Sequence, residues 1–163
     1  MRTPKAPRRL PRLSALLILV AAAVGALALG AASPARSSSP APTVVTVYKS
    51  PSCGCCGAWV DYLRTNGYQV KVVDLDDLSE IKSASGVPPA VRTCHTAVVD
   101  GYVVEGHVPV DALRKLLAEK PKLAGIGVPG MPIGSPGMPG TPVQHYDVVA
   151  WDKAGKTSVY LKK

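Results

Sequence analysis

Val44-Val45-Thr46-Val47-Tyr48-Lys49-Ser50-Pro51-Ser52-Cys53-Gly54-Cys55-Cys56-Gly57-Ala58-Trp59-Val60-Asp61-Tyr62-Leu63 is the stretch on which the fold turns. Its β-branched first half is bounded by the Ser50-Pro51 turn signal and predicts a strand. Past the cysteines, Ala58, Trp59, Tyr62 and Leu63 fall at helical spacing, and Asn66-Gly67 stops the helix. Three cysteines therefore sit where a strand hands over to a helix.

The residues downstream give that junction a context. Gln69 to Leu75 predicts a second strand, and Asp76 or Asp77 can cap a second helix through Leu78 and Ile81 that ends at Gly86. Pro88-Pro89 prevents that helix from resuming. Thr96 to Val99 and Tyr102 to Val104 flank Asp100-Gly101, a hairpin signature. Val110, Leu113, Leu116 and Leu117 mark an amphipathic helix ending near Lys120-Pro121. A βαβ unit followed by a ββα unit is the thioredoxin-like α/β arrangement, with crossover helices on the sheet faces. A Gly/Pro/Met-rich loop follows. Tyr146 to Trp151 and Thr157 to Leu161, turning at Lys153 to Gly155, predict an added β-hairpin. Residues 44–163 are thus expected to form one domain.

Upstream lies a different kind of sequence. Arg2, Lys5, Arg8, Arg9 and Arg12 form a basic leader, and an apolar run from Leu13 ends in the small residues Gly30, Ala31 and Ala32. Residues 1–32 are expected to be a secretory signal peptide, with an uncleaved membrane anchor as the alternative. Residues 33–43, rich in Pro and Ser, are expected to be a flexible linker. The formal net charge is +8, but five of those cations belong to the leader and the remainder carries +3. No long basic run remains, so no nucleic-acid partner is expected. Membrane association is expected only through an uncleaved N-terminal segment, and the site of action is the periplasm or cell envelope.

Cys53 and Cys56 have CxxC spacing, with Cys55 a third sulfur between them. A helix N-terminus presents unpaired N–H groups and a positive dipole end, which favour thiolate, the form that attacks disulfides and binds soft metals. Thioredoxin-like enzymes usually carry a cis-proline just before the third strand. Here that stretch reads Arg92-Thr93-Cys94-His95-Thr96, so Cys94 is expected to face the other three, although Pro88 or Pro89 lies a few residues earlier. His107 follows the fourth strand toward the same end of the sheet. Met131 and Met138 repeat Pro-Gly-Met seven residues apart in one loop. Thiolate plus thioether selects Cu(I) over magnesium, calcium or manganese. The candidate ligands are Cys53, Cys55, Cys56, Cys94, His107, Met131 and Met138.

Simpler readings compete. The cysteines can form structural disulfides in an oxidising compartment, and Cys94 can be a small buried hydrophobe. His107 can be a hydrogen-bonded core residue, and the methionines can simply cover a small core. His95 is read as hydrogen-bonded or on the surface rather than as a ligand, and His145 is assigned nothing. The functional rival is a thiol-disulfide oxidoreductase with Cys53 as nucleophile and Cys56 as resolving thiol, the pair being catalytic only if the site is redox-active. Structural zinc is weaker, since closed zinc sites usually draw cysteines from two separated pairs.

Tyr48 through Cys56, Thr93 through Val99, Gly101 through Pro109, and Val128 through Met131 with Gly137-Met138 together resemble the periplasmic copper-resistance protein CopG family. The resemblance spans about Val44 to Tyr160. It implies a thioredoxin-like domain whose CxCC motif binds Cu(I), as a cysteine-bridged multinuclear cluster in one form, and a role in copper resistance. Copper redox activity, with cysteine oxidation as an electron reservoir, is a further expectation drawn from the sulfur cluster itself rather than from the resemblance. The resemblance carries Cys53, Cys55 and Cys56 over as ligands and places Cys94 at the family's fourth cysteine position. Copper ions and other copper-handling envelope proteins are the partners it suggests.

Overall fold

The computed structural model describes residues 42–163; the leader expected at 1–32 and linker residues 33–41 lie outside the described residues. The chain runs β1 (Val44–Lys49), α1 (Gly54–Thr65), β2 (Gln69–Asp74), α2 (Ser79–Ala84), a 3-10 turn (Pro89–Val91), β3 (His95–Val99), β4 (Tyr102–Glu105), α3 (Val110–Glu119), β5 (Gly125–Gly127), β6 (Asp147–Trp151) and β7 (Thr157–Lys162). One seven-stranded sheet has the order β2-β1-β3-β4-β5-β6-β7. β1 pairs parallel with β2, while β1–β3 and β3–β4 pair antiparallel. These four strands with their helices are the expected thioredoxin-like core, to which three strands are added.

Alternation along the strands sorts residues into two layers. Val45, Val47, Ala97, Val99, Val104, Ile126, Val148 and Ala150 face one core, where Trp59, Val60 and Leu63 of α1 and Leu113 and Leu116 of α3 pack against them. The opposite layer is smaller: Val103 and Trp151 meet Val87 and Val91. Asp77 marks the entry to α2 as expected, its Oδ1 accepting the Ser79 N–H at 2.8 Å, but α2 has only six residues. Pro88 and Pro89 are trans, and the 3-10 turn leads the chain from α2 toward β3.

The expected hairpin is present as β6–β7, but it joins the core through β5, a strand that no sequence pattern predicts. Val103, Gly125 and Trp151 are register partners across β4, β5 and β6. The Trp151 ring lies over the bare Gly125 backbone. A Cβ there would stand 2.3 Å from the Val103 carbonyl oxygen and 2.4 Å from Trp151 Cζ2. Neither a backbone carbonyl nor a fully buried indole can step aside cheaply. Gly125→Ala is therefore expected to destabilise the domain by about 1–3 kcal/mol. Chemical denaturation measures this, and an unchanged midpoint would refute the packing account.

Among the described residues no helix is long and apolar enough to cross a membrane.

Candidate metal centre

Strand register explains why distant cysteines meet. Lys49 pairs with His95, so Cys94 lies just beyond the end of β1, where the chain turns into α1. That turn is closed by the Cys53 N–H donating to the Ser50 carbonyl at 3.1 Å. Cys53 is the N-cap of α1, and Cys55 and Cys56 lie in its first turn. Each of Cys53, Cys55, Cys56 and Cys94 contributes a sulfur, and all four sulfurs lie within 4.8 Å of one another. Cys53 and Cys56 are joined as a disulfide, while Cys55 and Cys94 are free thiols. Cys55 Sγ stands 3.6 Å from Cys53 Sγ, and the fully buried Cys56 lies with its sulfur 3.7 Å from the Cys94 carbonyl oxygen.

The β3–β4 hairpin brings in nitrogen. Thr96 pairs with Glu105, and Gly106 N–H donates to the His95 carbonyl at 3.1 Å, which carries His107 opposite Cys94. Cys94 Sγ lies 3.3 Å from His107 Nε2 and 3.3 Å from His95 Nδ1. The hydrogen-bond network assigns the protons. His107 Nδ1 faces the Pro136 carbonyl at 2.8 Å and must donate to it. Burial lowers the His107 pKa, so its ring is neutral and Nε2 carries a lone pair toward Cys94. An imidazole fixed in this way by an outer carbonyl has the form seen in metal-binding histidines. The Cys94 thiol then donates to His107 Nε2 and accepts from His95 Nδ1.

His95 is fully buried rather than on the surface, its ring tilted against Trp59 at a centroid distance of 4.5 Å and edge-on to His107 at 5.0 Å. Its pKa is pushed down to about 3, chiefly by burial and then by His107 and Lys82, and its Nε2 has no hydrogen-bond partner. The expectation that it is hydrogen-bonded holds, but its place beside the sulfurs was not foreseen. Cys94, His95 and His107 form a second compact donor group that shares Cys94 with the sulfur set. Burial first, and the neighbouring Cys55 second, push the Cys94 thiol up to about 12, so without a metal it keeps its proton at neutral pH.

The methionine loop covers this region. The Pro136 carbonyl holds His107, and the next residue, Gly137, has φ +84. A Cβ on Gly137 would stand 2.9 Å from both the Cys55 carbonyl oxygen and the Trp59 amide nitrogen, so only glycine allows the loop this close. Met138 follows directly and is half-buried; Met131, earlier in the loop, is 54% exposed. His145 is exposed.

Sequence reasoning also missed a charged network behind Cys94: Lys82 and Glu105 form an ion pair at 2.6 Å with side chains 8% and 0% exposed. An isolated acid closing the apolar strand Tyr102-Val103-Val104-Glu105 was the available signal.

With the Cys53–Cys56 disulfide reduced, four cysteine sulfurs and a neutral imidazole lone pair make a donor set suited to a soft metal ion, and the set offers no hard oxygen ligand for magnesium or calcium.

The family model described as glutaredoxin matches residues 45–87, and the model described as protein of unknown function, DUF411, matches residues 91–138. No curated protein sequence matches the chain. Two solved structures, forms 2 and 1 of a copper resistance protein CopG, are each 42% identical to it. They cover 76% of this chain and 99% and 98% of their own, with TM-scores of 0.72 and 0.71. With that identity over nearly the whole of those chains, and the same thioredoxin-like fold, this chain belongs to the CopG copper-resistance family.

Proposed function

We propose that this protein is exported to the cell envelope and there holds Cu(I) in copper resistance, with Cys53, Cys55, Cys56 and Cys94 as thiolate ligands. The convergence of four sulfurs within 4.8 Å at the β1–α1 junction carries the reading. His107 Nε2, aimed at Cys94, supplies a fifth donor, and Met131 and Met138 of the covering loop are exchangeable thioethers. Cys94 belongs to both donor groups, which suits a sulfur that bridges more than one copper ion. Export rests on the basic and apolar leader, and other copper-handling envelope proteins are the partner class.

The Cys53–Cys56 disulfide adds a redox element. Closing it from two thiols releases two electrons and two protons to an acceptor such as another disulfide, and its sulfurs then cease to be thiolate donors. Ligation and disulfide formation compete for the same two residues. A metal-free dithiol shuttle is not favoured, because it leaves Cys55, Cys94 and the oriented His107 without a task.

The test is anaerobic titration of the fully reduced protein with Cu(I) against a chromophoric chelator, followed by X-ray absorption. Bound copper with sulfur in its first coordination sphere is expected. Reduced protein that retains no copper, or that takes zinc in preference, would overturn the proposal.

A further inference from the structure

Glu105 closes β4 with a side chain that is 0% exposed. Its Oε1 accepts from Lys82 Nζ at 2.6 Å and from the Thr93 amide at 2.6 Å, with Thr93 Oγ1 at 3.4 Å. Its Oε2 accepts from Thr96 Oγ1 at 2.7 Å, and that hydroxyl in turn accepts from Lys82 Nζ at 3.0 Å. Every hydrogen bond here has a consistent donor. The two residues that Glu105 grips, Thr93 and Thr96, flank the Cys94-His95 pair on either side.

Stability alone does not account for this network. Desolvating a carboxylate and an ammonium together is costly, and apolar residues of similar volume often stabilise as well or better. The opposite layer already supplies such surroundings in Val87, Val91, Val103 and Trp151. What the charged pair adds is a fixed acceptor for the Thr93 N–H. That amide precedes Cys94, outside the regular β3 ladder, where no strand partner would otherwise hold it.

We infer that Glu105, neutralised by Lys82, is a positioning residue that clamps the Thr93–Thr96 segment and so holds Cys94 in ligating reach of the CxCC sulfurs. The inference rests on the proposed copper reading for its purpose, but the clamp itself is a property of the metal-free chain.

Two paired variants separate clamping from mere stability. K82M/E105L removes the charges and the acceptor together. K82M/E105Q removes the charges but keeps a carbonyl for the Thr93 N–H and an amide to donate to Thr96 Oγ1. On copper-free protein with the Cys53–Cys56 disulfide intact, iodoacetamide labelling of Cys94, read by peptide mass mapping, is expected to speed up about 10-fold in K82M/E105L and to stay at the wild-type rate in K82M/E105Q. Cu(I) affinity of the reduced proteins is expected to fall about 10–100-fold in the first and to be preserved in the second. Equal labelling and equal affinity in the two variants, with unfolding temperatures matching wild type, would overturn the clamp. If wild type itself takes up no Cu(I), the copper reading fails and the labelling comparison still decides the clamp. If K82M/E105L does not fold, hydrogen exchange at Thr93 in the wild-type protein decides instead: strong protection is expected, and exchange at the free-peptide rate would refute the contact.

Discussion

Protein oxidised at Cys53–Cys56 is expected to bind Cu(I) at least about 100-fold more weakly than the same protein fully reduced, beyond what loss of an outer hydrogen-bond partner costs a metal site. The loss begins with charge. A thiolate offers Cu(I) a full negative charge and a polarisable lone pair, and a disulfide sulfur offers neither. Closing the bond withdraws two of the four sulfurs and leaves Cys55 and Cys94. Cys94 cannot make up the loss easily, since burial and the neighbouring Cys55 hold it protonated to about pH 12 and its proton must leave when a metal binds. Chelator competition on oxidised and on anaerobically reduced protein measures the ratio, and re-reduction is expected to restore the stronger value. Equal affinities would mean that copper does not use Cys53 and Cys56, leaving their disulfide a structural link.

How much of this could be read from residues follows from the range of the interactions involved. The β-branched runs, the Asp100-Gly101 turn and the spacing of Val110, Leu113 and Leu116 are local signals, and the strands and helices they predict are present within a residue or two. The CxCC junction was legible for the same reason, because the strand and helix that frame it are adjacent in sequence. β5 was not. Gly125-Ile126-Gly127 has too few side chains to show a pattern, and its glycines answer to Trp151 and Val91 on other elements. His95 and Glu105 were hidden in the same way. A histidine at a strand start and a glutamate at a strand end look like solvent-facing residues until hairpin register sets one beside Cys94 and the other behind it. Whether Met131 and Met138 reach the sulfurs depends on how a loop folds over the site. Gly137 shows that the loop comes close, but nothing in the repeat of Pro-Gly-Met announced it.

Cys94→Ser is expected to be the most damaging single substitution at the site for copper and among the mildest for the fold. Serine keeps a hydroxyl that can donate to His107 Nε2 and accept from His95 Nδ1, so no buried ring nitrogen loses its partner and the stability cost stays at about 1 kcal/mol. What it removes is softness, since a neutral hydroxyl oxygen is a poor donor to Cu(I). Cys55→Ser strips one sulfur from the four-sulfur set, whereas Cys94→Ser strips the atom shared by that set and the Cys94-His95-His107 group. The loss in Cu(I) affinity is therefore expected to reach at least about 100-fold, past the upper end for an outer partner, and to exceed that of Cys55→Ser. X-ray absorption of any copper retained is expected to show fewer sulfur neighbours. The same variant separates the two chemistries open to this cluster. A dithiol shuttle needs only Cys53 and Cys56, so it would keep its rate on a disulfide substrate after Cys94→Ser. Wild-type copper affinity in Cys94→Ser would remove the residue that links sulfur to nitrogen here, and with it the argument that β3 and β4 deliver donors to the α1 junction.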